Sequence, residues 1–215
     1  RPHEAPVRAE LRALAQLEKE RSRGLIYPAE LASLYGSHGG RGMNALTLQD
    51  MTLFFVTVPA EKLELWFWLE SDRLREPVFR DFFTEKQVVT EERRLRLEST
   101  PTGKLDARLR RPFWGDHPYA WPTLGWPLDL ARTERSDAEA HFRQHYVPTN
   151  LTAVLVGGFD PALAETHARR YFGRLRASGG APETGAPRPV VVPDKEQRVT
   201  GSCPCAPQID VLYPT

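Results

Sequence analysis

At 215 residues, with 40% hydrophobic and 27% charged side chains, the chain is long enough for one large domain, or for one domain and the start of another. Its net charge of +1 gives no global pull toward nucleic acid or an acidic membrane surface, and no apolar run approaches the length of a membrane helix. The opening RPHEAPVRAEL has no apolar signal core and no initiator Met, so it reads as an internal piece of a longer chain.

Residues 5–23 read as a helix with a narrow apolar stripe of Leu11, Leu14 and Leu17 among many charges, ended by Gly24. Residues 28–35 read as a short helix with Pro28 in its first turn. The glycine-rich stretch 36–42 precedes a strand and not a helix N-terminus, which disfavours a phosphate cradle. Residues 43–48 and 51–58 read as two strands. The second carries apolar residues on both faces, as a covered strand does, and the first is more polar and suits an edge. A strongly apolar helix comes next over 60–74, containing Leu63, Trp66, Phe67 and Leu69.

Residues 78–98 read as one amphipathic helix. Phe82, Glu85, Val89, Glu92 and Arg96 fall on one face, which Val88 and Leu95 widen. Two carboxylates thus sit among apolar residues, two turns and roughly 10 Å apart along the axis. Carboxylates there are costly to bury unless a cation or a hydrogen-bond donor meets them. A helix over 102–114 is rich in arginine, but the acids interleaved with Arg93, Arg94, Arg96, Arg108 and Arg110 predict salt-bridged, solvated faces and not a nucleic-acid surface. Residues 115–130 read as a loop. Ser136 is expected to cap a helix running to Tyr146, residues 151–156 to form a buried strand, and Asp160-Pro161 to open a helix to Phe172. The Gly-, Pro- and Ala-rich stretch 177–189 reads as a linker, and residues 190–215 beyond it carry strand-like pieces at 190–192 and 209–213. The fold class is α+β: a two-layer domain with a mostly antiparallel sheet and helices packed on one face.

Chemistry is sparse. His141 and His145 stand at i, i+4, a spacing that lets two imidazoles share zinc, but Phe142 occupies the position where the usual motif carries its glutamate base. They are expected to be surface histidines. There is no G-x-S-x-G nucleophile elbow. Cys203 and Cys205, one residue apart, read as free thiols.

Several segments taken together resemble one family. They are Gly39-Gly40 with Asn44-Ala45-x-Thr47-x-x-Asp50-x-Thr52, then 63–74 with Pro77 and Phe79, and then Glu85-Lys-Gln-Val-Val-Thr-Glu-Glu92. His117-Pro-Tyr119, Gly125, Asp129-Leu130, Phe142, Tyr146-Val-Pro148, Asn150-Leu151, 154–158 and Asp160 complete the set. In order and spacing it is similar to the pitrilysin/insulinase zinc peptidases, which include the mitochondrial processing peptidases, and it spans roughly residues 35–175.

The resemblance implies a clamshell of two homologous halves. It also implies a Zn2+ ion held by two histidines of an H-x-x-E-H motif and a distal glutamate, with the motif's own glutamate as general base. By position Glu92 would be the zinc ligand and Glu85 a supporting carboxylate beside the site. Asn44 and Ala45 would lie on the edge strand offered to a peptide substrate. Residues 1–34 would be a helical insertion or lead-in, 35–176 the N-terminal peptidase domain, 177–189 a linker and 190–215 the start of the next domain. The implied partners are a peptide substrate and a second half or partner subunit, with neither nucleic acid nor a membrane span. Many bacterial members are exported, which points to a periplasmic or secreted location. The chain departs from the family in having no H-x-x-E-H: before residue 35 the only histidine is His3. This chain therefore holds no catalytic residue of its own. Either the motif lies in a preceding segment, the reading adopted, or the protein is a non-catalytic relative that binds peptides or a partner half.

Overall fold

The computed structural model describes residues 29–176, together with residues 9, 12–14, 16, 17, 20, 196, 198–200, 202, 205–207 and 209–212. Most of the helix expected over 5–23 lies outside the described residues; those of its positions that are described are helical. The linker 177–189 and the strand expected at 190–192 also lie outside them. Ile209 to Leu212 are described and form no strand. The chain divides into two compact units, one of residues 82–133 with the ends 1–16 and 185–215, the other of residues 17–81 and 134–184.

The second unit opens with helix α1 (Glu30–Ser37). Its Tyr35 is fully buried, donates its hydroxyl to Glu70 Oε1 at 2.7 Å, and offers its carbonyl to the Gly40 N–H. Strands β1 (Arg41–Thr47) and β2 (Thr52–Thr57) then form an antiparallel hairpin with Asn44 opposite Phe55 and Ala45 opposite Phe54. The register slips by one residue between Arg41 and Asn44, where Gly42 takes a φ of 64°. That is a bulge, and it needs a residue tolerant of the left-handed region.

Helix α2 (Leu63–Arg75) packs on a later helix of the same unit through Phe67, which is 1% exposed. Around Phe67 sit Ala164, Tyr171, Leu63, Trp66, Leu155, Phe159, Ala168 and Phe172, a core in which the rings of Trp66 and Phe172 meet Phe67 edge-on or tilted. Glu64 at the start of α2 accepts hydrogen bonds from the Tyr171 hydroxyl at 2.7 Å and from Arg170 at 2.9 Å. The Tyr171 hydrogen bond holds the Glu64 carboxyl below its ordinary range.

The first unit carries α3 (Phe82–Arg93), α4 (Pro101–Trp114) and α5 (Pro127–Arg132). The second resumes with α6 (Arg135–His145) and α7 (Pro161–Tyr171). Two opposite capping solutions start these last helices. Glu134 and Asp137 form a reciprocal capping box on α6, which replaces the expected Ser136 cap. Asp160 accepts from the N–H groups of Ala162 and Leu163 on α7, as the Asp-Pro pair predicts.

The α+β class and the antiparallel pairing stand. Two details of the sheet do not. Residues 151–156 are extended but unpaired among the described residues, and Val154 and Val156 are 74% and 93% exposed. Apolar sequence demands burial, but a strand also needs a pairing partner, and none of the described residues supplies one. β2 is likewise exposed along most of its length instead of covered. Residues 115–130 are not wholly loop, since a 3₁₀ turn at Pro118–Ala120 and the start of α5 fall within them. Cys205 is disulfide-bonded, which corrects its reading as a free thiol; Cys203 lies outside the described residues.

Candidate functional site

The helix that carries the two carboxylates is fixed in its unit through the side next to them. Lys86 of α3 is buried and donates from Nζ to the carbonyls of Ala131 at 2.9 Å and Thr133 at 2.7 Å. An ammonium suits the carbonyl-rich C-terminal end of α5, where hydrogen-bond acceptors lack helical partners and the helix dipole is negative. Two turns on, Arg93 donates from Nε to the Gly125 carbonyl at 3.0 Å. Thr90, between them, returns its hydroxyl to the Lys86 carbonyl at 2.7 Å.

α3 does not run unbroken over 78–98 as expected. It begins at Phe82 and passes at Arg94 into a π-helical turn (Arg94–Glu98), where Ser99 N–H reaches the Arg94 carbonyl five residues back. The ion pair of Arg93 with Glu98 spans the same i, i+5 step, which a π turn brings onto one side. α4 approaches this turn so closely that a Cβ on Gly103 would meet the Arg96 carbonyl at 2.1 Å. Only glycine fits there.

Lys86 is the buried residue of α3, while Phe82, Val89, Thr90, Glu92 and Arg93 are all half-buried. Glu85 is exposed and Glu92 half-exposed, and Val88 and Leu95 beside them are 53% and 56% exposed. Periodicity alone cannot separate two faces that each hold apolar and charged residues, and the carbonyls that receive Lys86 lie 45 and 47 residues away in sequence. Glu92 pairs with Arg96 at 2.8 Å across one helical turn. The arginines flanking it pair with acids as expected: Arg94 with Glu91, and Arg110 with Asp106.

Asn44 and Ala45 belong to the other unit. The Leu48 N–H bonds to the Met51 carbonyl at 2.8 Å, which makes 48 and 51 a hydrogen-bonded pair. Alternation along an antiparallel ladder then gives Leu46–Leu53 and Asn44–Phe55 as hydrogen-bonded pairs and Ala45–Phe54 as a non-bonded one. The N–H and C=O of Ala45 therefore point away from β2, to an edge that no other described strand covers. The Ala45 N–H is meanwhile held at 2.8 Å by the Asn44 side-chain oxygen.

Among the described residues no group of three or more His, Cys, Asp or Glu is placed to hold a metal. They do not fit a complete zinc site. Glu92, whose neighbour Arg96 is largely exposed, fits one arm of such a site. The rings of His141 and His145 lie with centroids 4.4 Å apart and tilted by 33° on α6. Partial burial, with the nearby His145 charge, pushes the His141 imidazole below its ordinary value.

A profile described as the peptidase M16 inactive domain matches residues 133–208, from the end of α5 across the expected linker. The zinc protease PqqE of Helicobacter pylori is 27% identical over 135 residues, covering 62% of this chain and 30% of that protein. An uncharacterised zinc protease of Mycobacterium leprae, ML0855, is 25% identical over 157 residues, covering 71% and 35%. A crystal structure of a protease from Helicobacter pylori superposes with a TM-score of 0.65 at 24% identity, covering 76% of this chain and 39% of that one. The first half of the periplasmic protease PqqL from Escherichia coli gives 0.64 at 20% identity, covering 75% and 36%. The fold is that of these two protease structures. The chain is similar to proteins named as zinc proteases, and it spans about a third of the length of the curated relatives it matches.

Proposed function

We propose that this chain is part of a zinc-dependent metalloendopeptidase that cleaves peptides or small unfolded proteins. Glu92 is the distal zinc ligand, Glu85 a carboxylate supporting the site, and the open edge at Asn44 and Ala45 the place where substrate adds as a strand. The observation that carries the reading is the outward face of α3. It presents two carboxylates and two exposed aliphatic side chains, while the helix is anchored through the neighbouring side by Lys86. When bound, zinc supplies Lewis acidity and an activated water. This chain's own residues would hold one coordination position and orient a peptide through main-chain bonds. The two histidines and the general-base glutamate come from outside the described residues, and so does the second half that closes over the substrate. Residues 35–176 would form the peptidase-type domain, with the linker and the next domain after it. A periplasmic location is in keeping with the description of the PqqL neighbour.

In the complete protein, Glu92→Gln removes stoichiometric zinc and peptide hydrolysis while keeping the fold, and Glu85→Gln lowers activity but retains metal. Full zinc occupancy in Glu92→Gln would end the proposal. The 215-residue chain by itself binds no stoichiometric zinc.

A second reading has one specific observation in its favour: the matching profile is that of an inactive domain, and the chain contains no H-x-x-E-H. On that reading the protein is a non-catalytic subunit that binds peptides or a partner half. The sequence encoded upstream of Arg1 decides between the two, since an H-x-x-E-H there is required by the first.

A further inference from the structure

Helix α6 brings two imidazoles together in its last two turns. His141 and His145 stand at i, i+4, a step of about 400° that returns the side chain to nearly the same side of the helix. Their ring centres are 4.4 Å apart. The Tyr146 ring flanks His141 edge-on at 6.3 Å, and Asn150 donates from Nδ2 to the His145 carbonyl at 2.9 Å, which closes the end of the helix.

Both imidazoles are open to a ligand. His141 is exposed and His145 half-buried, and among the described residues neither ring is held by a hydrogen bond or an ion pair. Partial burial, and after it the His145 charge, holds His141 below its ordinary range. The ring is then neutral at about pH 7, and the neutral imidazole is the form that ligates a metal. The carbonyl end of a helix carries partial negative charge, which favours a cation beside His145. Arg143, two residues from each histidine, falls on the opposite side of the helix. Asp137, one turn before His141, is committed to the capping box, and the described residues offer no group of three ligands here.

The ring separation discriminates between metals. An imidazole whose nitrogen lies about 2.0–2.1 Å from a metal has its ring centre about 3.2 Å from it. Two such rings are about 4.5 Å apart when they subtend 90° at the metal, as in a tetragonal site, and about 5.2 Å apart at the tetrahedral angle of zinc. The observed 4.4 Å matches the first. We propose that His141 and His145 form a surface site for Cu2+, with water in the remaining positions. Copper(II) also heads the affinity order of the divalent metals for nitrogen ligands, above zinc. Two imidazoles are too few to retain zinc stoichiometrically. The proposal needs only the fold of α6 and not the peptidase reading.

The test is titration of the 215-residue chain with Cu2+ in a His3→Gln background, which removes the imidazole beside the amino end. At one equivalent, electron paramagnetic resonance is expected to show an axial signal with nitrogen couplings from two imidazoles. His141→Gln and His145→Gln each weaken binding by about a hundredfold, the low end of the gain from linking two donors on one frame. Combining His141→Gln with Arg143→His keeps the number of histidines but sets the rings on opposite sides of the helix, and it does not restore affinity. Cu2+ raises the urea midpoint of the parent chain and not that of either single variant, a readout confined to folded protein. Zn2+ binds the parent at least about tenfold more weakly than Cu2+. Undiminished Cu2+ affinity in the single variants, recovery in the combined variant, or tighter binding of Zn2+ than of Cu2+ overturns the proposal. None of these readouts is hydrolysis or the zinc content of the complete protein, so failure of the zinc assignment leaves the result intact.

Discussion

The alternation along the hairpin gives a paired test on adjacent residues. The N–H of Leu46 points into the ladder toward Leu53, and that of Ala45 points out to the open edge. Leu46→Pro removes a ladder bond and forces the ring into the paired side, at a cost of about 2 kcal/mol or more. Ala45→Pro loses only the contact of its N–H with the Asn44 side chain, which is exposed, so its cost to folding stays under about 1 kcal/mol.

Peptide binding reverses the asymmetry. An added strand would take the Ala45 N–H and C=O, each worth about 0.5–1.5 kcal/mol net. Proline at 45 deletes the donor and obstructs the edge, so affinity for an extended peptide falls by about five- to thirtyfold. Urea denaturation gives the stability arm and titration calorimetry the binding arm. If Ala45→Pro destabilises the fold as much as Leu46→Pro does, the assignment of outward and inward N–H groups is wrong. If it leaves peptide affinity unchanged, the edge is not the substrate strand's seat.

Three other expectations are independent of substrate. Phe67→Ala empties the centre of the second unit's core and costs about 3–5 kcal/mol, measured as a fall in the urea midpoint with little change in slope. Lys86→Met leaves the Ala131 and Thr133 carbonyls without their ammonium and costs about 2–3 kcal/mol; a neutral outcome would mean that water replaces the lysine and that α3 is held elsewhere. His141 titrates below its unfolded value, so the unfolded chain binds the proton more readily, and stability falls as pH drops below about 6.5. His141→Gln flattens that part of the pH–stability curve and leaves the neutral side unchanged.

The sequence and the structure divide the information along physical lines. Short-range chemistry was legible. The hairpin came out within two residues of its observed ends because its apolar runs are bounded by glycine, Gln-Asp and proline. α7 starts where Asp160-Pro161 places it, and α2 and α4 fall where their patterns put them. The order and spacing of the whole set of segments from Gly39-Gly40 to Asp160 carried the family resemblance, because spacing along a chain is a property of sequence itself.

What remained hidden depends on residues distant in the chain. The rotation of α3, which turns Glu85 and Glu92 outward, is set by a lysine that finds two carbonyls more than 40 residues away. The π turn answers an ion pair and the close passage of α4 over Gly103. The meeting of Phe79 with Phe142 of α6 likewise joins residues more than 60 apart in the chain. The stretch 151–156 is as apolar as a buried strand but has no pairing partner among the described residues, since burial and pairing come from neighbours and not from a segment's own composition. The sequence by itself determined which elements form and which family they resemble. The tertiary structure decided which way those elements face, because a helix or strand acquires an inside only when something packs against it.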